Sequence, residues 1–106
     1  MQKVSDISYE DIANYMRIDI TEGDTLLKRE LETYLNVSKD FISNYTGIAI
    51  KSDNKNDETL DSYADFIIVV YILCQDMYDN RAMYVDSKNM NRVVETILNM
   101  HRRNLI

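Results

Sequence analysis

The side chains best suited to chemistry are a single cysteine and a single histidine, Cys74 and His101, and carboxylates about one helical turn apart, such as Asp76 and Asp79. A Cys/His dyad would supply an activated nucleophile, but Cys74 lies in the apolar stretch 66–74, where a thiol stays protonated and inert. His101 stands near a predicted helix C-terminus, where the helix dipole favours a cation. Nothing marks the paired carboxylates as an acid/base pair. We therefore expect a protein that is not an enzyme and has no catalytic residues.

Metal and phosphate sites are not predicted either. One Cys and one His are too few for a zinc site, which takes three or four such ligands. The polar stretch 51–59 superficially resembles a calcium loop, but Lys55 stands at its third position and Ala64 at its twelfth, where that loop uses acidic ligands. The sequence contains no Gly-rich phosphate loop and no GxSxG or HExxH motif. The expectation is therefore no metal and no cofactor.

The stretch FIIVVYILCQDMYDNR, residues 66–81, begins with nine apolar residues and then becomes polar. A run of that length is far short of the roughly 20 residues that span a bilayer, so we expect no membrane span. A buried strand would need partner strands, and no second run of this kind exists. Apolar residues continue at helical spacing from Leu60 to Tyr78, which predicts a central helix that is apolar on nearly every side. Part of such a helix is expected to stay uncovered and to be buried against another subunit.

Local signals predict two helices before the central one. The Ser8–Asp11 segment is similar to a capping box and predicts a short helix over about 9–16. Apolar residues spaced three and four apart predict a second helix of about 22 residues. It would begin at a cap on Asp24 or Thr25 and end at Gly47, which suits the left-handed position after a helix.

A final helix is predicted over about 88–103, after a cap at Asp86 or Ser87. The chain has no proline and only two glycines, a composition that permits long helices and argues against a turn-rich β-sandwich. The prediction is a single domain over 1–106, an all-α bundle of about four helices around a central apolar helix.

Charge is distributed unevenly along the chain, whose net charge is −6. Residues 60–79 contain four aspartates and no basic residue, whereas residues 80–106 contain five basic and two acidic residues. Solvated helix surfaces account for this pattern, and so do complementary ends that attract when copies meet head to tail. Both interpretations remain open from sequence.

Tyrosine is the dominant aromatic residue, with eight copies against two phenylalanines and no tryptophan. Its apolar ring and polar tip suit the edge of a core and also protein interfaces. The central helix ends in a polar signature, Tyr78-Asp79-Asn80-Arg81. Arg81 would either cap carbonyls at its own helix end or pair with a neighbouring acidic patch. We predict Tyr78, Asn80 and Arg81 as subunit-interface residues.

Three segments together resemble the small head–tail connector proteins, or head-completion adaptors, of tailed bacteriophages and prophages. DIANYMRID, residues 11–19, is similar to the opening helix of that family with its YLRID-like end. The stretch 27–47, which ends in FISNYTG, is similar to the second helix of that family with its YIxxYTG close. The apolar stretch 64–81, which ends in MYDNR, is similar to its third helix, which ends in WYENR or MYDNR. Order and spacing match over about 1–81.

The resemblance implies a structural virion protein that assembles in the host cytoplasm as a homo-oligomeric ring of about twelve copies. That ring would lie under the portal protein at the head–tail junction of the virion. It would link the DNA-filled capsid to the next head-completion or tail protein. DNA would pass through it only as transiting cargo, and an acidic lumen would repel that DNA.

A second class of function is a small phage nucleic-acid-binding regulator or a DNA-packaging subunit. Either would need a basic recognition helix. Only the segment 88–103 comes close, and its basic residues Lys88, Arg92, Arg102 and Arg103 lie on no single face. A small enzyme or toxin-system partner is a third class, and it would need a polar pocket for which the sequence supplies no residues.

Overall fold

The structure is a computed structural model that describes residues 3–20, 24–53, 57–85, 88 and 90–102. Within these residues the chain forms an all-α bundle of four helices, as the sequence predicts. The helices are α1 (Tyr9–Met16), α2 (Thr25–Thr46), α3 (Asp65–Asn80) and α4 (Arg92–Met100). Two single 3₁₀ turns, at Val4–Asp6 and Leu60–Ser62, precede α1 and α3.

The capping box predicted for α1 is confirmed. The Ser8 hydroxyl accepts a hydrogen bond from the Asp11 N–H, and the Asp11 carboxylate accepts one from the Ser8 N–H at 2.9 Å. Two amides that have no partner inside the helix are thereby satisfied. The helix ends at Arg17, which has left-handed dihedrals (φ 59°, ψ 41°).

The prediction for α2 is also confirmed at both ends. Of the two candidate caps, Asp24 takes the role, because its Oδ1 accepts a hydrogen bond from the Leu27 N–H at 3.2 Å. Gly47 closes the helix at φ 81°, a conformation that costs glycine nothing because it has no Cβ. With 22 residues, α2 is long enough to contact each of the other three helices.

The prediction that the central helix runs continuously from Leu60 is wrong, since α3 begins at Asp65. Leu60 is fully buried in a 3₁₀ turn, and its N–H donates to the Ala49 carbonyl at 3.0 Å. Tyr63 then has extended dihedrals (φ −128°, ψ 120°). This contact with a residue distant in sequence, together with the burial of Leu60, outweighs the local helical spacing.

The final helix is shorter than the predicted span 88–103. Its N-cap is Asn91, whose side chain accepts hydrogen bonds from the amides two and three residues on. A capping side chain so placed fixes the start of a helix, because it satisfies amides that have no partner within the first turn. Asp86 and Ser87, the predicted caps, lie outside the described residues, and His101 is the C-cap.

Helix α3 lies at the centre of the bundle, in contact with α1, α2 and α4. The side chains that it buries almost completely recur along one broad face: Phe66, Val69, Val70, Leu73, Cys74 and Met77. Burying a large apolar side chain contributes about 1.5–3 kcal/mol, so this face contributes much of the stability of the bundle. In the described part of the chain, no helix combines the length and apolar character required to cross a membrane.

Candidate interface at the C-terminal end of α3

The three predicted interface residues occupy the last turn of α3 and its cap. Tyr78 is half-buried, while Asn80 and Arg81 are exposed. Arg81 has left-handed dihedrals (φ 51°, ψ 39°), and its backbone N–H meets the carbonyls of Met77 and Tyr78. One of the two predicted alternatives was that Arg81 caps carbonyls at the end of its own helix. Arg81 does so, but through its backbone N–H.

The Arg81 guanidinium forms an ion pair inside the chain. Its Nη1 lies 2.7 Å from Oε1 of Glu30 on α2, and the guanidinium carbon lies 4.5 Å from the centre of the Tyr78 ring. The acidic partner foreseen for Arg81 is thus supplied by the same chain. About two thirds of the Arg81 side chain, 64%, is nevertheless exposed.

Glu30 holds a second hydrogen bond that the sequence did not reveal. Its Oε1 also accepts from the Tyr34 hydroxyl at 2.5 Å, and the Tyr34 ring meets the Tyr78 ring edge-on with centroids 6.5 Å apart. Burial, and then the hydrogen bond with Glu30, raise the pKa of Tyr34 to about 12. Near neutral pH the Tyr34 hydroxyl therefore keeps its proton. The cluster of Glu30, Tyr34, Tyr78 and Arg81 fastens α2 to α3.

Asn80, the residue before Arg81, lines a groove. Its side-chain amide donates to the Asp76 carbonyl at 2.9 Å. The groove has a volume of about 530 Å³ and is lined by apolar side chains from α3 and the following loop, with three polar residues. The apolar members are Leu73, Met77, Ala82, Tyr84, Val85 and Met90, and the polar ones are Asp76, Asn80 and Asn91. Burial, and then the charge of Asp79, raise the pKa of the Asp76 carboxyl.

The outward face of α3 is only partly covered, as the excess of apolar residues predicts. Ile68 is 52% exposed, and Ile72 is half-buried. Tyr15 of α1 is 48% exposed and stacks on Tyr71 with ring centroids 5.0 Å apart. This face runs from apolar residues near the start of α3 to Asp76 and its neighbour Asp79 near the end.

The candidate catalytic side chains are not brought together. Cys74 is buried with its sulfur 3.4 Å from the Ser38 hydroxyl, and burial raises the pKa of the thiol to about 11. His101 instead places Nε2 at 2.9 Å from Asp65 Oδ2 and stacks on Tyr63 with centroids 4.1 Å apart. Among the described residues, no group of three His, Cys, Asp or Glu is arranged to hold a metal ion.

Of the four basic residues predicted for the final helix, α4 contains Arg92 alone. Arg102 follows the helix, and its guanidinium lies 4.8 Å from the centre of the Tyr45 ring. Arg103 lies outside the described residues. Comparison with known protein families, curated proteins and solved structures finds no match for this chain.

Proposed function

We propose that this chain is a structural subunit of a tailed-bacteriophage or prophage virion, a head–tail connector that forms a ring of about twelve copies under the portal protein. The ring links the DNA-filled capsid to the next head-completion or tail protein. The observation that carries the proposal is the ordered set of segments 11–19, 27–47 and 64–81, which together resemble that family.

The fold supports the proposal because the three segments belong to helices that pack on one another. Tyr15, in the first segment, stacks on Tyr71 of α3. Arg81, the last residue of the third segment, is paired with Glu30 near the start of α2. These contacts give the shared sequence positions a common structural role in holding the bundle together.

Exposed apolar surface gives further support. Six large apolar side chains in the described part of the chain are more than half exposed: Leu26, Ile68, Met83, Tyr84, Val93 and Met100. They lie on separate parts of the molecule, on α2, α3, the loop after α3 and α4. A subunit of a closed ring needs two different surfaces that meet head to tail, and exposed apolar side chains on different elements are available to both.

The proposal is tested by native mass spectrometry of the full chain across protein concentration and salt, alone and with the portal protein encoded in the same genome. We expect a closed ring near twelve subunits, alone or on the portal, and a ring-shaped particle with a central channel in electron micrographs. A chain that stays monomeric in both conditions contradicts the proposal.

Duplex-DNA binding by the isolated chain separates the proposal from a nucleic-acid regulator. A connector that DNA only traverses is expected to bind duplex DNA weakly at physiological salt. Tight binding that falls steeply with salt concentration would instead indicate phosphate contacts and a regulatory or packaging role. A map of the assembled ring with a basic inner wall would contradict an acidic lumen that repels DNA.

A further inference from the structure

We infer that the outward face of α3 binds the outward face of α4 from a second copy of this chain, with the two helices antiparallel. The outward face of α3 consists of Ile68, Ile72 and Asp76, and that of α4 consists of Arg92, Thr96 and Met100. This inference rests on the proposed function and deepens it, because it names the surfaces that join neighbouring copies.

The receiving face on α3 is apolar at one end and acidic at the other. Ile68 is exposed and Ile72 half-buried, while Asp76 and Asp79 are exposed one turn apart. Neither carboxylate forms an ion pair within the described residues. Two adjacent carboxylates beside uncovered isoleucines favour a partner that is apolar and carries a positive charge.

The face that α4 turns away from the bundle has the complementary character. Its buried residues, Val94 and Leu98, point into the core. On the opposite side Arg92 is exposed, without an ion pair in the described part of the chain, and Met100 is 66% exposed. Val93 adds a second apolar side chain, 52% exposed, beside Arg92.

The spacing of the two faces matches when the helices run in opposite directions. Arg92 and Met100 are eight residues apart, and so are Asp76 and Ile68. At 1.5 Å per residue each pair spans about 12 Å along its helix axis. Placing Arg92 opposite Asp76 therefore places Met100 opposite Ile68, so the ion pair and the apolar contact form in one register.

We take the contact to be heterologous, with the α3 face and the α4 face of each copy used by different neighbours. Each copy presents α3 to one neighbour and α4 to the other, so the chain of contacts closes into a ring or continues as a filament. A two-fold dimer would instead form the α3–α4 contact twice between the same two copies, and its mass distinguishes it from a ring. The unequal charges of the two faces oppose pairing of α3 with α3.

Charge reversal tests the contact by sedimentation equilibrium of the full chain at physiological salt. We expect Arg92→Asp and Asp76→Arg each to weaken self-association about tenfold, and the double variant to recover most of the loss. Arg29→Asp and Glu32→Arg are matched controls on the exposed side of α2, and we expect them to leave association nearly unchanged. Circular dichroism checks that each variant keeps its helices.

Cross-linking tests the register independently. A chain with Thr96→Cys and Ile72→Cys is expected to form disulfide-linked oligomers on oxidation, while Cys74 is buried and does not compete. Glu32→Cys with Ile72→Cys is the control and should give little product. If both charge-reversal variants associate as strongly as the unmodified chain and the double-cysteine variant does not cross-link, this contact is wrong. The connector role is then unaffected, because the chain still forms oligomers. A chain that stays monomeric up to about 1 mM overturns the contact, and portal binding then decides the connector role separately.

Discussion

Glu30 joins two helices through one carboxylate oxygen, which accepts from both Tyr34 and Arg81. Removing the Tyr34 hydroxyl breaks one of these hydrogen bonds and leaves the carboxylate paired with Arg81. We expect Tyr34→Phe to lower the free energy of unfolding by about 1 kcal/mol at pH 7, measured by urea denaturation. A variant as stable as the unmodified chain would show that the hydrogen bond from Tyr34 to Glu30, both on α2, contributes nothing to stability.

The raised pKa of Tyr34 also sets a pH dependence. The unfolded state loses its phenolic proton near pH 10, whereas the folded state holds it to about pH 12. The stability linked to this group is therefore fully present below pH 10 and is lost as the pH rises from 10 to 12. We expect Tyr34→Phe to reduce the loss of stability in that window, while Tyr84→Phe at an exposed position leaves it unchanged.

Cys74 is expected to resist thiol reagents in the folded protein. With a pKa of about 11, only about one thiol in a thousand is ionised at pH 8, and the sulfur is also buried. We predict that labelling with a disulfide reagent at pH 8 is at least about a hundredfold slower than in urea. Rapid labelling of the native chain would mean that α3 opens readily around this residue.

At the scale of elements, α1 and α3 share an unusual ending. Both stop at an arginine in the left-handed conformation, Arg17 at φ 59° and Arg81 at φ 51°. A residue with a Cβ is disfavoured there by roughly 1–2 kcal/mol, and glycine is not. At Arg81 the ion pair with Glu30 offsets part of this cost. Substitution by glycine should therefore change the free energy of unfolding differently at the two positions.

Arg17→Gly is expected to raise the free energy of unfolding by about 1 kcal/mol, because it relieves the left-handed strain. Arg81→Gly should give a smaller gain or a loss, since it also removes the contact with Glu30. Urea denaturation of both variants measures the difference, and Arg17→Ala, which keeps the Cβ, is the control. Equal gains at both positions would show that the ion pair adds nothing to stability.

At the scale of the whole molecule, His101 connects the end of the last helix to the start of the central one. Its ring is bonded to Asp65 and packed between Tyr63 and Phe66, whose ring centroids lie 4.1 Å and 5.0 Å away. These contacts close the bundle at one end, because α4 reaches α3 there across 36 residues of sequence.

We expect His101→Ala to lower the free energy of unfolding by about 2 kcal/mol, the sum of a ring contact and a hydrogen bond. The free energy of unfolding of His101→Phe should lie between those of His101→Ala and the unmodified chain, because phenylalanine keeps an aromatic ring and loses the hydrogen bond to Asp65. Thermal or urea denaturation measures both variants. If His101→Ala lowers the free energy of unfolding by less than about 0.5 kcal/mol, the His101 contacts do not hold this end of the bundle together.

The first two helices were determined by sequence, because their signals are local. The Ser8 capping box, the Asp24 cap and Gly47 satisfy backbone groups within a turn of the helix end, so α1 and α2 were predicted with correct bounds. The apolar content of α3 likewise identified it as the central helix. The sequence identified Tyr78, Asn80 and Arg81 as a polar signature. It did not indicate which residues of the same chain they contact.

Tertiary structure alone decided which distant groups meet. Leu60 leaves the helical pattern where it is buried and its N–H donates to the Ala49 carbonyl. Arg81 and Glu30, 51 residues apart, are brought together only by the packing of α2 on α3. The fourth helix begins at Arg92, because Asn91 caps it, and not at residue 88 as predicted. Caps and periodicity act within a few residues, whereas these contacts depend on the angle and register at which whole helices pack, which no local pattern specifies.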